Sequence, residues 1–306
     1  MQIDPQRLLD LLTIAETGSF TKAASARRVS QPALSMSMAV LESALGVRLL
    51  NRGRNGAQLT PYGHTLAGHA QTLKQLLARA GDDIARQKAG LEGRLVIGAS
   101  PLACASLVPA AVAYICRESP NVLIEIAEKP DDALTDGLVT GALDLVVSPA
   151  GPRGDPPGII RELLMRDRST VMVRPRHILA GRKNVRLSDL NEFLWVLPDP
   201  QTEMWRHIEA LFAAEKASWP SRYITTNSIL ALRSIVVRSD CVSIVSPHLM
   251  AAEIKAESIV CIPLRKSGAS RDIVLRTRRD ILLTPLADRM AKALRQEAGA
   301  LLSASV

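Results

Sequence analysis

Between Ser19 and Arg54 the chain reads SFTKAASARRVSQPALSMSMAVLESALGVRLLNRGR. These residue types are suited to reading a nucleic acid, not to bond-breaking chemistry. The Gln31 amide can pair with the edge of an adenine, while Pro32, Ser35 and Met36 offer small or apolar contact to neighbouring bases. Thr21, Lys22, Ser30, Arg48, Arg52 and Arg54 can hold phosphates, which fix a protein's register on a duplex without specifying sequence. Taken singly, an arginine here also reads as a solvated charge, and Ser30 as a plain helix cap. The spacing decides between these readings: two short helical patterns meet at Val29-Ser30, and an arginine-studded loop follows them.

The elements that would position these residues are legible around them. Leu8, Leu9, Leu11, Leu12 and Ile14 predict a first amphipathic helix stopping near Gly18. Ser19 or Thr21 can cap the next helix, which ends at Arg27 and carries a small face at Ala23-Ala24. Ser30 is a good N-cap for the third, with Pro32 in its first turn. Leu34, Met38, Leu41 and Leu45 form one stripe, so Pro32, Ser35, Met36, Ala39 and Ser43 face the other way. Asn55-Gly56 reads as the turn of a hairpin or wing. A long helix is expected over 61–88. Its seam of Tyr62, Leu66, Ala70, Leu73, Leu77, Ala80 and Ile84 would run about 40 Å and favours dimerisation. Residues 89–93, AGLEG, read as a hinge.

Composition supports this placement. The 306 residues suit two or three domains. The net charge is +8, of which +5 falls before Leu91, where 11 Lys/Arg face 6 Asp/Glu. An anionic partner for the N-terminal part follows. Cys104, Cys116, Cys241 and Cys261 form no CxxC pair, so zinc and redox motifs are not expected, and buried small hydrophobes are the expected role. No cofactor is implied. The first ten residues lack an apolar signal core, and no stretch is long enough for a bilayer, so a soluble cytoplasmic protein is expected.

From Arg94 onward strands and helices alternate. Strands are expected at 95–99, 122–127, 143–147, 171–173, 194–197, 241–245, 259–264 and 273–276. Helices are expected at 104–117, 131–140, 203–214, 228–237 and 286–302. Alternation predicts an α/β region with a mostly parallel, doubly wound sheet. The expected domains are 1–60 for DNA, 61–88 for the linker helix and 94–306 for a small-molecule domain. That last domain divides into lobe I (94–165 and 271–306) and lobe II (166–270). Ligands in such folds sit at strand carboxyl ends beside helix N-termini. This nominates Ser100, Pro101, Leu102, Ser148, Thr202, Asn227 and Ser246, with a small organic or aromatic acid as the matching ligand.

The N-terminal residues closely resemble the LysR-type transcriptional regulators. The resemblance rests on Ser19-Phe20, Ala23-Ala24, Ser30-Gln31-Pro32-Ala33-Leu34-Ser35, Leu41-Glu42, Leu45-Gly46-Val47-Arg48-Leu49-Leu50, Arg52, Leu59-Thr60 and Gly63. It implies a winged helix-turn-helix, dimerisation through the linker helix, often a tetramer, and a two-lobed effector domain like periplasmic binding proteins. Promoter DNA, a small effector and RNA polymerase are the partners of such a regulator. Three positions depart from the family pattern. Arg27 replaces a leucine, and its stem is expected to cover the core while its charge reaches outward, to a phosphate. Met36 replaces a frequent arginine and favours a thymine methyl over a guanine. Leu50 replaces a phenylalanine. Three rival classes are weaker. An enzyme would need a GxSxG, GxGxxG, Walker A or HExxH motif, none of which is present. A solute-binding protein would carry a signal peptide. An architectural DNA protein would need no two-lobed pocket.

Overall fold

The computed structural model describes residues 3–53, 56–88, 93–151, 154–265 and 270–304. The chain divides into two compact units, the first mainly residues 1–91 and the second mainly residues 92–306. The N-terminal unit opens with α1 (Pro5–Thr17), α2 (Phe20–Arg27) and α3 (Gln31–Leu45). Each has a side-chain N-cap, from Asp4, Ser19 and Ser30 respectively, satisfying N–H groups that the first turn leaves open. Gly18 and Gly46 end α1 and α3 in the left-handed region. Strands β1 (Leu50–Gly53) and β2 (Gly56–Leu59) pair antiparallel as the wing. A single core binds these pieces: Leu11, Ile14, Ala23, Ala24, Leu34, Met38, Leu41, Leu49, Leu50 and Ala57. Leu50 fills the position of the expected aromatic and is buried there.

The long helix α4 spans Pro61–Lys88. The Thr60 hydroxyl accepts from Gly63 N (3.1 Å) and donates to the Arg48 carbonyl (2.7 Å), fastening its start to the wing. Gly63 is required there because a Cβ would lie 2.1 Å from the Leu49 carbonyl oxygen. α1 packs along the first half of α4, covering Ala67 and Ala70, and Glu16 pairs with Lys74 at 2.9 Å. The expected seam is therefore covered only in part. Leu77 and Ile84, further along it, are 55% and 56% exposed.

The C-terminal unit contains two mixed sheets. The first orders its strands β4-β3-β5-β12-β6. These are β3 (Gly93–Ala99), β4 (Val122–Glu128), β5 (Leu145–Pro149), β6 (Ile159–Asp167) and β12 (Arg271–Arg278). α5 (Pro101–Ala105), α6 (Leu107–Glu118) and α7 (Asp131–Thr140) connect its parallel strands, and α11 (Pro285–Ala304) packs on α6. The second sheet contains β7 (Thr170–Val173), β8 (Trp195–Pro198), β9 (Tyr223–Thr226), β10 (Ser243–Val245) and β11 (Val260–Ile262). Bridges from Val242 to Leu194 and Val196 join the β8-β9 pair to β10-β7-β11. α8 (Glu203–Glu215), α9 (Ile229–Arg238) and α10 (Ala251–Lys255) complete this lobe. The chain leaves the first sheet after Asp167 and returns to it at Arg271.

Several expectations are corrected here. The sheets are less parallel than alternation suggested, because β12 runs antiparallel to both β5 and β6, as β7 does to β10 and β11. β6, the longest strand, has no strand signature in sequence. A register shift between Ile273 and Val274 leaves adjacent Leu164 and Met165 both buried, which breaks the period of two. β9 is exposed at Tyr223 and Ile224 and is too short and too polar to stand out. The helix expected over 104–117 is two helices broken at Ser106. Among the cysteines Cys241 is buried, Cys104 and Cys261 are half-buried, and Cys116 is exposed on the outer side of α6. Burial and the neighbouring Glu128 push the Cys104 thiol up to about 12, so it is chemically quiet. Of the expected hinge at 89–93 only Gly93 is described, as the first residue of β3; residues 89–92 and Asn55 of the expected turn lie outside the described residues.

Replacing Gly63 with alanine should destabilise the N-terminal unit by about 1–3 kcal/mol, since the obstructing atom belongs to the backbone. Urea unfolding of the full chain measures it. An unchanged midpoint would show that the wing and α4 are not packed as closely as described.

Candidate DNA interface and effector cleft

Burial of one side of α3 determines which side remains for a partner. Leu34, Met38 and Leu41 close against α1 and α2, and Leu45 packs at the edge of the same core. Pro32, Met36, Ala39 and Ser43 therefore turn to solvent, with Met36 66% exposed, while Ser35 is half-buried. Gln31 and Pro32 form the exposed first turn beside Ser30, whose hydroxyl accepts from Ala33 N at 3.3 Å. Ser19, and not Thr21, caps α2, leaving Thr21 and Lys22 exposed. Arg48 is exposed ahead of the wing. Arg52 lies on β1, its side chain outside the described set, as is the whole of Arg54. The Glu42 carboxylate accepts from Leu49 N (2.7 Å) and Leu50 N (3.1 Å), fixing the wing to the far half of α3.

Arg27 does not reach outward. Its Nε donates to Asp10 Oδ1 at 2.7 Å and its Nη2 to Gln6 Oε1 at 2.9 Å, both on α1. The other Asp10 oxygen accepts from the Ser37 hydroxyl of α3 at 2.8 Å. One carboxylate thus joins all three helices, and the charge expected at a phosphate is spent inside the headpiece. The sequence signal was available: Asp10 interrupts the leucine run from Leu8 to Leu12, with no other charge but Arg7 within five residues.

In the C-terminal unit the nominated residues are mainly helix caps. Ser100 follows β3 and accepts from Ala103 N, Thr202 accepts from Trp205 N at 3.2 Å, and Ser246 follows β10 and accepts from His248 N at 3.1 Å. Pro101 is exposed and Leu102 is buried. α5 of one lobe packs against the Pro247–Met250 turn of the other, so the Ser100 and Ser246 caps come from opposite lobes to one place. Two nominations change. Ser148 lies inside β5, not beyond it, and its hydroxyl donates to Asp131 at 3.1 Å. It belongs to a network on Arg276, 1% exposed, that includes Asp131 and Asp155. Asn227 is exposed, and the α9 cap is its neighbour Ser228.

Sequence reasoning missed the charges at the crossing between lobes. Asp167 ends β6 and Arg271 begins β12, and both are buried. Arg271 Nη2 donates to Asp167 at 2.8 Å and Nη1 to Glu203 at 3.1 Å, on the first residue of α8. The Ser246 hydroxyl donates to the other Asp167 oxygen. His207, one turn along α8, meets Ser169 at 3.2 Å. Burial and the nearby Arg271 push the His207 imidazole down to about 4. No local signal marks the crossing charges, because Asp167 follows another charge, Arg166, and Arg271 follows the small residues Ser267 to Ser270. Among the described residues no group of three or more His, Cys, Asp or Glu side chains could hold a metal ion.

Comparison with known proteins agrees with both units. The description "Bacterial regulatory helix-turn-helix protein, lysR family" matches residues 5–64, and "LysR substrate binding domain" matches residues 88–299. The chain belongs to the LysR-type transcriptional regulators: a DNA-binding headpiece joined to an effector-binding domain. It is 30% identical to the uncharacterised HTH-type transcriptional regulator YdcI of Escherichia coli K12, over 95% of this chain and 94% of that one. Full-length CbnR in complex with its target DNA shares the fold at a TM-score of 0.60 and 22% identity, over 96% of this chain and 100% of that one. So does LysG of Corynebacterium glutamicum with bound effector Arg, at 0.68 and 17%, over 97% and 99%.

The state of His207 sets a pH dependence. Its pKa is depressed in the folded state, so between about pH 6.5 and pH 4 the unfolded chain takes up a proton that the folded chain refuses. The stability from the neutral imidazole is complete above pH 6.5 and is lost as pH falls through about 4. Wild-type stability should fall across this window more steeply than that of His207→Gln, by up to about 3 kcal/mol in urea unfolding. Coincident slopes would show that the imidazole is not held neutral.

Proposed function

We propose that this regulator reads a two-fold promoter site as a dimer and that a small organic or aromatic acid, bound between its lobes, sets its hold on DNA. Gln31, Pro32, Ser35 and Met36 would meet base edges, with Thr21, Lys22, Ser30, Arg48, Arg52 and Arg54 at phosphates. The observation that carries the DNA reading is the exposed, uncharged outer face of α3, which lets the helix approach bases closely. The exposed Leu77 and Ile84 on α4 support a dimer through the linker, and a tetramer is consistent with it. Such a protein works in the cytoplasm, near RNA polymerase. Among the described residues no helix is long and apolar enough to cross a membrane.

The acid reading rests on donors. Ser100 and Thr202 open helices whose first N–H groups have no intrahelical acceptor, and the Ser100 oxygen already accepts its cap bond, leaving its O–H to donate. Ser246 contributes as a cap, while Pro101, Leu102 and Asn227 complete the proposed set; Ser148 drops out, its hydroxyl committed inside the Arg276 network. Arg271 is not the anchor in this reading, because two carboxylates, Asp167 and Glu203, already answer one guanidinium. The Thr202 and Ser246 hydroxyls already donate to the Asp199 carbonyl and to Asp167, so the anion is expected to rest on the Ser100 hydroxyl and helix ends.

Footprinting on the region upstream of the chain's own gene tests the DNA reading. Gln31→Ala should cost about 1–3 kcal/mol and relax one base position, whereas Arg48→Ala should weaken all sequences alike. A base-specific effect of Arg48→Ala would reverse these roles. For the effector, a thermal-shift screen of small carboxylates should yield binders whose shift shrinks in Ser100→Ala and Thr202→Ala. Shifts untouched by both changes would rule out the cleft.

A further inference from the structure

Two arginines stand side by side where α2 gives way to α3, and the structure treats them oppositely. Arg27 is turned inward onto Asp10 and Gln6, as described. Arg28 is exposed, and among the described residues its guanidinium has no hydrogen-bond or ion-pair partner. It occupies the residue just past the end of α2, with φ of 56°. Its N–H bonds to the Ser25 carbonyl at 3.1 Å and the Val29 N–H to the Ala24 carbonyl at 3.0 Å, closing the helix. This left-handed position favours glycine or asparagine, so the backbone gains nothing from an arginine there, as it gains nothing from Lys216 at the end of α8 with φ of 53°. Two residues later Ser30 caps α3, the helix that carries Gln31 and Met36. A free cation is thus held at the mouth of the reading helix, by a backbone geometry that works against it.

We propose that Arg28 is a phosphate contact of the DNA interface, and that Arg27 is a positioning residue that touches no DNA. This division of labour rests on the DNA-facing surface proposed above. Arg27, through Asp10 and Ser37, fixes how α3 is turned relative to α1 and α2. Arg28 supplies the backbone charge that Arg27 would otherwise have offered from the neighbouring position. Two adjacent identical side chains then differ in every solution property that depends on counterion release.

The test uses the full-length protein and a mixed-sequence 30-base-pair duplex, with affinity measured across a salt series. Arg28→Gly removes the charge and relieves the left-handed backbone. Its melting temperature should rise by about 2–4 °C, while the slope of log affinity against log salt falls by about 0.9 for each Arg28 in contact, about 1.8 for a bound dimer. Affinity at 0.1 M salt should drop about five- to tenfold per Arg28 in contact, and Arg28→Lys should restore most of the slope. The charge-neutral pair Arg27→Leu/Asp10→Asn keeps an acceptor for Ser37 and should leave the slope unchanged. An unchanged slope in Arg28→Gly, or a fall in the Arg27→Leu/Asp10→Asn pair instead, overturns the assignment. A wild-type slope near zero would instead remove the underlying DNA-facing surface, a failure that is separable because it needs no variant.

Discussion

The constraint on which the N-terminal unit depends is the burial of one stripe of α3. Leu34, Met38 and Leu41 are almost wholly removed from water against α1 and α2. Each such side chain contributes about 1.5–3 kcal/mol of transfer free energy, far more than any single surface contact can oppose. Rotating α3 by one residue would expose that stripe, so its azimuth is fixed before any DNA arrives. The outer face is what remains, and its character follows from what sits there: Pro32, Ser35, Met36, Ala39 and Ser43. Polar ties refine the setting. Asp10 joins α1 to α2 through Arg27 and to α3 through Ser37, and Glu42 holds the wing to α3. A half-buried ion pair adds little net stability beside an apolar alternative, but it does specify one arrangement over its neighbours. An arginine in a leucine position is tolerated because Asp10 is there to receive it.

The C-terminal unit is organised around a different problem, two lobes connected by two strands. Asp167 and Arg271 are the residues at which the chain crosses, and they bind each other where β6 ends and β12 begins. Removing either would strand a buried charge, a loss of several kcal/mol. Glu203 and Ser246 bring the start of α8 and the end of β10 to the same cluster. The segments nominated for effector binding are therefore tied mechanically to the crossing point. Any ligand that shifts α8 or the Ser246 turn acts directly on the joint between lobes.

Much of this was legible in sequence, and the failures have physical causes. The helices of the headpiece, their caps and the stripe of α3 follow from local rules of spacing and capping, which tertiary context did not override. β6 was invisible because the bulge opposite Ile273 places Leu164 and Met165 together in the core. Ser148 was misplaced by a boundary error of two residues, enough to move a hydroxyl from a strand end into a buried network on Arg276. Arg27 turns inward against expectation, and the expectation failed because its partners, Gln6 and Asp10, are 21 and 17 residues away and sequence spacing does not show such a meeting. The crossing cluster was missed for the same reason: Asp167 and Arg271 are separated by 104 residues.

The central claim is that buried and reading faces of α3 alternate as described, with Met36 outward and Met38 in the core. Replacing either methionine with a photoreactive diazirine analogue, one position at a time, tests it on the protein bound to its operator. Illumination should crosslink position 36 to a base within the site and leave position 38 attached only to protein. Crosslinking of DNA from position 38, or from neither position while the complex remains intact, would contradict the account.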